Sequence, residues 1–127
     1  MVDEGINVNI RSEHAVVRDG MVLDYCRLHG ITVQAWSPFQ YGMFKGVFLK
    51  SDKYTALNEE IAKISAAHGV TDSAIAVAWI LRHPAGIQTI IGSMNPGRIR
   101  EIAKAQEMNL TREEWYRLYL AAGNPLP

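Results

Sequence analysis

The 127-residue sequence predicts an α/β protein whose strands pair in parallel. Two short apolar segments, residues 31–36 and 87–91, read as strands, the second of the continuous type found in buried parallel sheets. Stretches with helical spacing separate and follow them, giving the order helix, strand, helix, helix, strand, helix, helix. Strands that alternate with helices join through right-handed crossovers into one parallel sheet. Two strands are too few for a covered parallel sheet, so the elements look well formed but short of partners.

The elements follow in order. Residues 1–18 show no clean periodicity and read as a loop or mobile end. Asp19-Gly20 is a turn signal, and Met21, Val22, Tyr25, Cys26 and Leu28 then suggest a helix over 21–29 that Gly30 closes. Strand 31–36 is stopped by Ser37-Pro38, because proline cannot continue a ladder. Residues 41–51 hold Gly42 and Gly46 and read as a long loop. Tyr54, Leu57, Ile61, Ile64 and Ala67 give a helix over 53–68, ended by Gly69.

Thr71 caps a helix over 72–82 that is apolar almost all round and is expected to be buried on most sides. His83-Pro84 terminates it. Asn95-Pro96 is an N-cap followed by proline at the first helical position, opening a helix to about Glu107. Thr111-Arg112-Glu113-Glu114 is a capping box for a last helix to about Ala122, with Gly123 after it.

Hydrophobic residues make up 48% and charged residues 20%, a globular composition in a chain the size of one domain. The 13 basic and 13 acidic side chains cancel, which excludes a strongly basic nucleic-acid binder. The single cysteine, Cys26, has no partner for an internal disulfide. No secretory apolar core precedes residue 14, and the longest apolar run, 74–81, falls far short of the ~20 residues that span a bilayer. A cytoplasmic protein that binds neither membrane nor nucleic acid is the expectation.

Chemistry is expected at the carboxyl ends of the strands, where parallel sheets bind ligands. These ends are Trp36-Ser37-Pro38-Phe39-Gln40-Tyr41-Gly42 and Gly92-Ser93-Met94. The helix opening at Asn95-Pro96 adds free N–H groups suited to a phosphate. Ser93 and Asn95 add hydrogen-bonding side chains, and Arg98 in the first turn is placed for a bidentate pair with a phosphate. Spacing alone is not specific: Asn95 as a plain cap and Arg98 as a solvated charge account for the same pattern.

The motifs go further. Ala35-Trp36-Ser37-Pro38-Phe39 resembles the seventh-strand motif of the aldo-keto reductases. Ile91-Gly92-Ser93-Met94-Asn95-Pro96-Gly97-Arg98-Ile99 resembles their eighth-strand phosphate motif. The Ala-rich helix ending Leu81-Arg82-His83-Pro84 is also typical, and Leu110-Thr111-Arg112-Glu113-Glu114-Trp115-Tyr116 resembles the bacterial YdhF-like branch. The resemblance covers residues 19–127, with four motifs in the family's order.

That resemblance implies part of a (β/α)8 barrel: strands seven and eight, their helices and the C-terminal segment, in one partial-barrel domain over 1–127. It implies an NADPH-dependent reduction of aldehydes or ketones. The family's catalytic aspartate, tyrosine, lysine and histidine belong to the part not matched, so the resemblance supplies no catalytic residue here. It does supply cofactor contacts. Trp36 matches the ring that stacks on nicotinamide. Ser37, Pro38 and Phe39 match the loop at the pyrophosphate, with Gln40 and Gly42 beside it. Gly92, Ser93, Met94 and Asn95 match the segment around the adenosine 2′-phosphate, Arg98 the arginine on that phosphate or on adenine, and Glu101 and Ile102 the adenine edge. Many relatives carry a basic residue where Gly92 stands, so NADPH over NADH rests on Arg98.

Other candidates carry less. His14, His29, His68 and His83 show no metal-ligand spacing, and no metal is expected. No tyrosine stands in the family's catalytic order. Cys26 reads as a small core residue. Phe39, Phe44, Val47, Phe48 and Leu49 form an apolar loop that would either line a substrate pocket or pack under a barrel rim. The expected partners are a carbonyl substrate and either a separate N-terminal barrel half or a second copy. A non-enzymatic assembly module is the alternative.

Overall fold

A computed structural model describes residues 21–41 and 45–125. The expectations for 1–18, Asp19-Gly20, His14, Gly42 and Phe44 fall outside the described residues. The described elements are α1 (Met21–Leu28), β1 (Gln34–Trp36), a 3-10 turn at Asp52–Tyr54, α2 (Thr55–His68), α3 (Asp72–Leu81), β2 (Gln88–Ile90), α4 (Pro96–Ala103), a second 3-10 turn at Lys104–Gln106, and α5 (Arg112–Ala121).

β1 and β2 pair in parallel, with Gln34 opposite Gln88, Ala35 opposite Thr89 and Trp36 opposite Ile90. Both strands are shorter than expected. The amide of Gln88 still donates to the Val33 carbonyl at 2.9 Å. Beyond that the chain diverges, because a ladder extends only as far as both strands stay side by side. Burial alternates along the pair, as the period-two geometry of a strand requires. Ala35 and Thr89 are half-buried, whereas Gln34, Trp36, Gln88 and Ile90 are exposed. On the exposed face the Gln34 amide donates to the Gln88 side-chain oxygen at 3.2 Å.

α3 is the centre of the core. Ala74, Ile75, Ala76, Val77, Ala78 and Ile80 are all buried, as its all-round apolarity implies. α2 contributes Leu57, Ile61 and Ile64, α4 contributes Ile102, and α5 contributes Leu118. Each such side chain stabilises the fold by about 1.5–3 kcal/mol through removal from water. Ala67, placed on the apolar face by periodicity, is exposed.

Local signals set the helix ends. Gly69 adopts φ 65° and closes α2 through its N–H to Ser65, a left-handed conformation that favours glycine. The Ser65 hydroxyl then donates to Asp72 Oδ1 at 2.8 Å, tying α2 to the start of α3. The Thr71 side chain accepts from the Ala74 amide. The Thr111–Glu114 capping box forms in full. Two helices differ from expectation at one end. The first turn before α2 is 3-10, and α4 gives way to 3-10 after Ala103 instead of continuing to Glu107.

No single helix among the described residues is long and apolar enough to cross a membrane. α2 and α3 together have the length and composition, but they are bent by 93° with α3 inside the core.

Candidate cofactor site

Parallel pairing brings the carboxyl ends of β1 and β2 to one end of the sheet, with Trp36 beside Ile90. Trp36 is 51% exposed at this end of the sheet. Ser37 follows with φ 51°, a left-handed conformation uncommon outside glycine and costly by about 1–3 kcal/mol. This sharp bend turns the chain out of the strand at the site. The Ser37 carbonyl accepts from the Gln40 amide at 3.1 Å, closing a turn over Pro38 and Phe39.

The loop then doubles back. Gln40 bridges Val47 in antiparallel sense, the Tyr41 amide donates to the Gly46 carbonyl at 3.2 Å, and the Phe48 amide donates to the Phe39 carbonyl at 2.9 Å. Phe48 is buried at 1% exposure, and Phe39 and Leu49 pack against the core, while Val47 is 51% exposed. The packing role therefore accounts for most of this apolar loop.

Asn58 on α2 braces the same loop and was missed by sequence reasoning. Its side-chain amide donates to the carbonyls of Phe48 (2.8 Å), Ser51 (3.2 Å) and Tyr54 (3.0 Å), and its Oδ1 accepts from the Lys50 amide at 2.8 Å. Nothing in the sequence marks it, because its partners are backbone groups whose position depends on the fold.

After β2 the chain passes through Gly92, Ser93 and Met94 to α4. The Asn95 side chain accepts from the Arg98 amide at 3.1 Å, and the Asn95 amide donates to Ser93 Oγ at 3.3 Å. Asn95 is thus a true cap. Pro96 has no N–H, so Gly97 holds the amide in this first turn that is left without an acceptor. The guanidinium of Arg98 is exposed and has no carboxylate partner among the described residues. A Cβ built on Gly92 meets nothing within 4 Å, so there is open space beside the strand end. Met94 is 94% exposed. A free amide, an unpaired cation and open space at one helix N-terminus fit a phosphate-bearing group.

The outer candidates divide. Glu101 is held by Lys104, Oε2 to Nζ at 2.8 Å, with both side chains close to half exposed. Ile102 is 3% exposed and packs in the core, so its side chain supports α4 from beneath. Among the described residues no group of three or more His, Cys, Asp or Glu is gathered.

Residues 8–120 match the profile of the aldo/keto reductase family. The chain belongs to that family. It is 37% identical over 106 residues to the 6-dehydroglucose reductase of Novosphingobium aromaticivorans, covering 83% of this chain and 34% of that enzyme. It is 35% identical over 100 residues to the 6-dehydroglucose reductase of Agrobacterium fabrum, covering 79% and 32%. The oxidoreductase YdhF of Escherichia coli is 28% identical over 101 residues, covering 79% and 33%, consistent with the YdhF-like branch. The chain thus spans about a third of the curated relatives it matches.

Among solved structures, the thermostable aldo-keto reductase Tm1743, in complex with the inhibitor epalrestat, aligns at TM-score 0.66 and 29% identity. The alignment covers 95% of this chain and 40% of that one. An aldo/keto reductase relationship implies a barrel family, and the parallel pair with its helices is a small, helix-rich piece of such an architecture.

Proposed function

We propose that the chain supplies the cofactor-holding segment of an NADPH-dependent reductase of aldehydes or ketones. The observation that carries this reading is the joint placement of the two strand ends beside the capped start of α4, where Arg98 lacks a partner. When bound, NADPH supplies the hydride that reduces the carbonyl carbon. Trp36 stacks on the nicotinamide ring. Ser37, Pro38, Phe39, Gln40 and Gly42 flank the pyrophosphate. Gly92, Ser93, Met94 and Asn95 surround the adenosine 2′-phosphate, Arg98 pairs with it, and Glu101 sits at the adenine edge. Preference for NADPH over NADH follows from that single cation, since NADH has no 2′-phosphate for it to meet.

The acid–base residues of the reaction come from the part of the family barrel that this chain does not span, whether joined to it or supplied separately. The chain by itself turns over little or no carbonyl substrate. A second reading, an assembly module without catalysis, is favoured by the exposed sheet face carrying Trp36 and Ile90 (51% and 45% exposed) and by the two outer strand edges, which no described residue pairs.

Mixing separates the readings. The chain is combined with a polypeptide holding strands one to six of an aldo/keto reductase, and NADPH consumption with a simple aldehyde is followed. Activity on mixing, absent from either part alone, supports the reductase segment. Turnover by the chain alone would contradict it. A symmetric dimer that binds no NADPH supports the second reading.

A further inference from the structure

A second recess lies at the opposite end of the strands. α3 ends at Leu81, and Arg82, His83 and Pro84 follow it ahead of Gln88, where β2 begins. These residues therefore belong to the amino end of the sheet, away from Gly92 and Arg98. With Arg112, Trp115 and Tyr116 from α5 they line an open recess of about 330 Å³. That volume lies at the small end of the range for ligand pockets and suits a single ring with one polar group.

The walls are fixed. Trp115 stacks on Trp79 with ring centroids 4.7 Å apart and planes 7° from parallel. Tyr116 meets Trp115 edge-on, with centroids 5.1 Å apart. The Arg112 guanidinium lies over the Tyr116 ring, 5.7 Å from its centroid. The Arg82 Nε–H donates to the Leu110 carbonyl at 3.1 Å, which aims the guanidinium and leaves its terminal N–H groups free.

Among the described residues no carboxylate lines the recess. His83 Nδ1 accepts from the Ala85 amide at 3.1 Å, so the ring proton sits on Nε2, a donor. Desolvation and the nearby Arg27 charge hold the His83 pKa below its usual value, against an opposing pull from Asp24, and the ring is neutral at pH 7. The recess thus presents two cationic forks and an imidazole donor against an aromatic wall.

We propose that this recess binds a small aromatic carboxylate. The planar guanidinium groups match a carboxylate in bidentate geometry, and the flat apolar body lies against the Tyr116 ring and the edge of Trp115, whose faces are taken by Trp79 and Tyr119 at 4.7 and 5.6 Å. The site is separate from the proposed cofactor site and needs none of its residues.

Benzoate is the probe and benzamide its neutral counterpart. Both are titrated into the ¹⁵N-labelled chain while the indole N–H signals of its three tryptophans are followed. The expected result is saturable movement of the Trp115 and Trp79 signals with benzoate, Trp36 staying still, and at least tenfold weaker binding of benzamide. Arg112→Gln weakens benzoate at least fivefold with unchanged melting, and Lys63→Gln, on the exposed side of α2, leaves it unchanged. Arg82→Gln gives the same loss. Should that variant fail to fold, because Arg82 also supports Leu110, Arg112→Gln decides alone. Equal affinity for benzamide, indifference to Arg112→Gln, movement of Trp36 instead, or no saturable shift would each overturn the proposal.

Discussion

Trp79 and Trp115 hold each other through both their rings and their backbones. The Trp79 indole N–H donates to the Trp115 carbonyl at 3.1 Å, and the Trp115 indole N–H donates to the Trp79 carbonyl at 2.9 Å, across rings stacked 7° from parallel. This reciprocal clasp fastens α5 to the buried α3. Each Trp→Phe change removes one hydrogen bond and is expected to cost about 0.5–1.5 kcal/mol in urea unfolding. The pair is also expected to couple by about 0.5–3 kcal/mol in a double-mutant cycle. Strictly additive losses would show that the two bonds act independently.

Acid stability reports on the α5 cap. Burial pushes the Glu114 pKa up, but hydrogen bonds from the Thr111 backbone, from His68 and from the Thr111 hydroxyl outweigh it, and the net shift is downward from 4.5. His68 Nε2 lies 2.9 Å from Glu114 Oε1. A carboxylate with a depressed folded pKa adds stability that is full above its unfolded pKa and disappears as pH falls through the folded value. Thermal unfolding followed from pH 6 down to 3 is expected to show wild type losing stability below about pH 4.5, where the unfolded carboxylate begins to take up its proton. Glu114→Gln starts lower and loses less over that interval. Parallel curves would remove Glu114 from the acid transition.

Phe48 anchors the loop after β1. It is 1% exposed within the main core, and its carbonyl accepts from Asn58 at 2.8 Å. Phe48→Ala is expected to cost about 3–5 kcal/mol. Faster amide exchange at residues 46–51 is expected to accompany it. A loss below about 1 kcal/mol, less than any core truncation of this size, would place the ring outside the cooperative core.

Thr89 offers the opposite sign. Its hydroxyl oxygen is buried without a hydrogen-bond partner among the described residues, in the middle of β2. Replacing it with the similarly shaped valine relieves the cost of an unsatisfied polar atom, so Thr89→Val is expected to gain about 1 kcal/mol. A destabilised variant in chemical denaturation would mean that this hydroxyl is satisfied in solution.

Legibility in the sequence followed the range of the interactions. The caps at Thr71, Asn95 and Thr111 could be read directly, since each side chain bonds a backbone group a few residues away. The all-round apolarity of α3 announced its burial for the same reason. Strand lengths could not be read. Ile31 and Thr32 have strand-like side chains, but pairing depends on where the partner strand lies. The Trp79–Trp115 clasp spans 36 residues and leaves no periodic trace. Asn58 and Phe48 sit in the same category. The sequence leaves Phe48 open between lining a pocket and packing beneath the loop, and the fold-back of the loop buries it. At the candidate site, the strand ends, Asn95 and Arg98 were legible through their motifs. The inward turn of Ile102 was not, because which face of α4 is buried depends on the packing of α3.

The central claim is that the chain carries a preformed seat for the phosphate end of NADPH at the start of α4. Its direct test is an NADPH titration of the purified chain, read by quenching of tryptophan fluorescence, with Arg98→Ala alongside. The expected result is saturable quenching that disappears in Trp36→Phe, with affinity weakened by about 1.5–3 kcal/mol in Arg98→Ala, as loss of a charge-assisted hydrogen bond implies. Undiminished affinity in Arg98→Ala, or no saturable quenching at all, would contradict it.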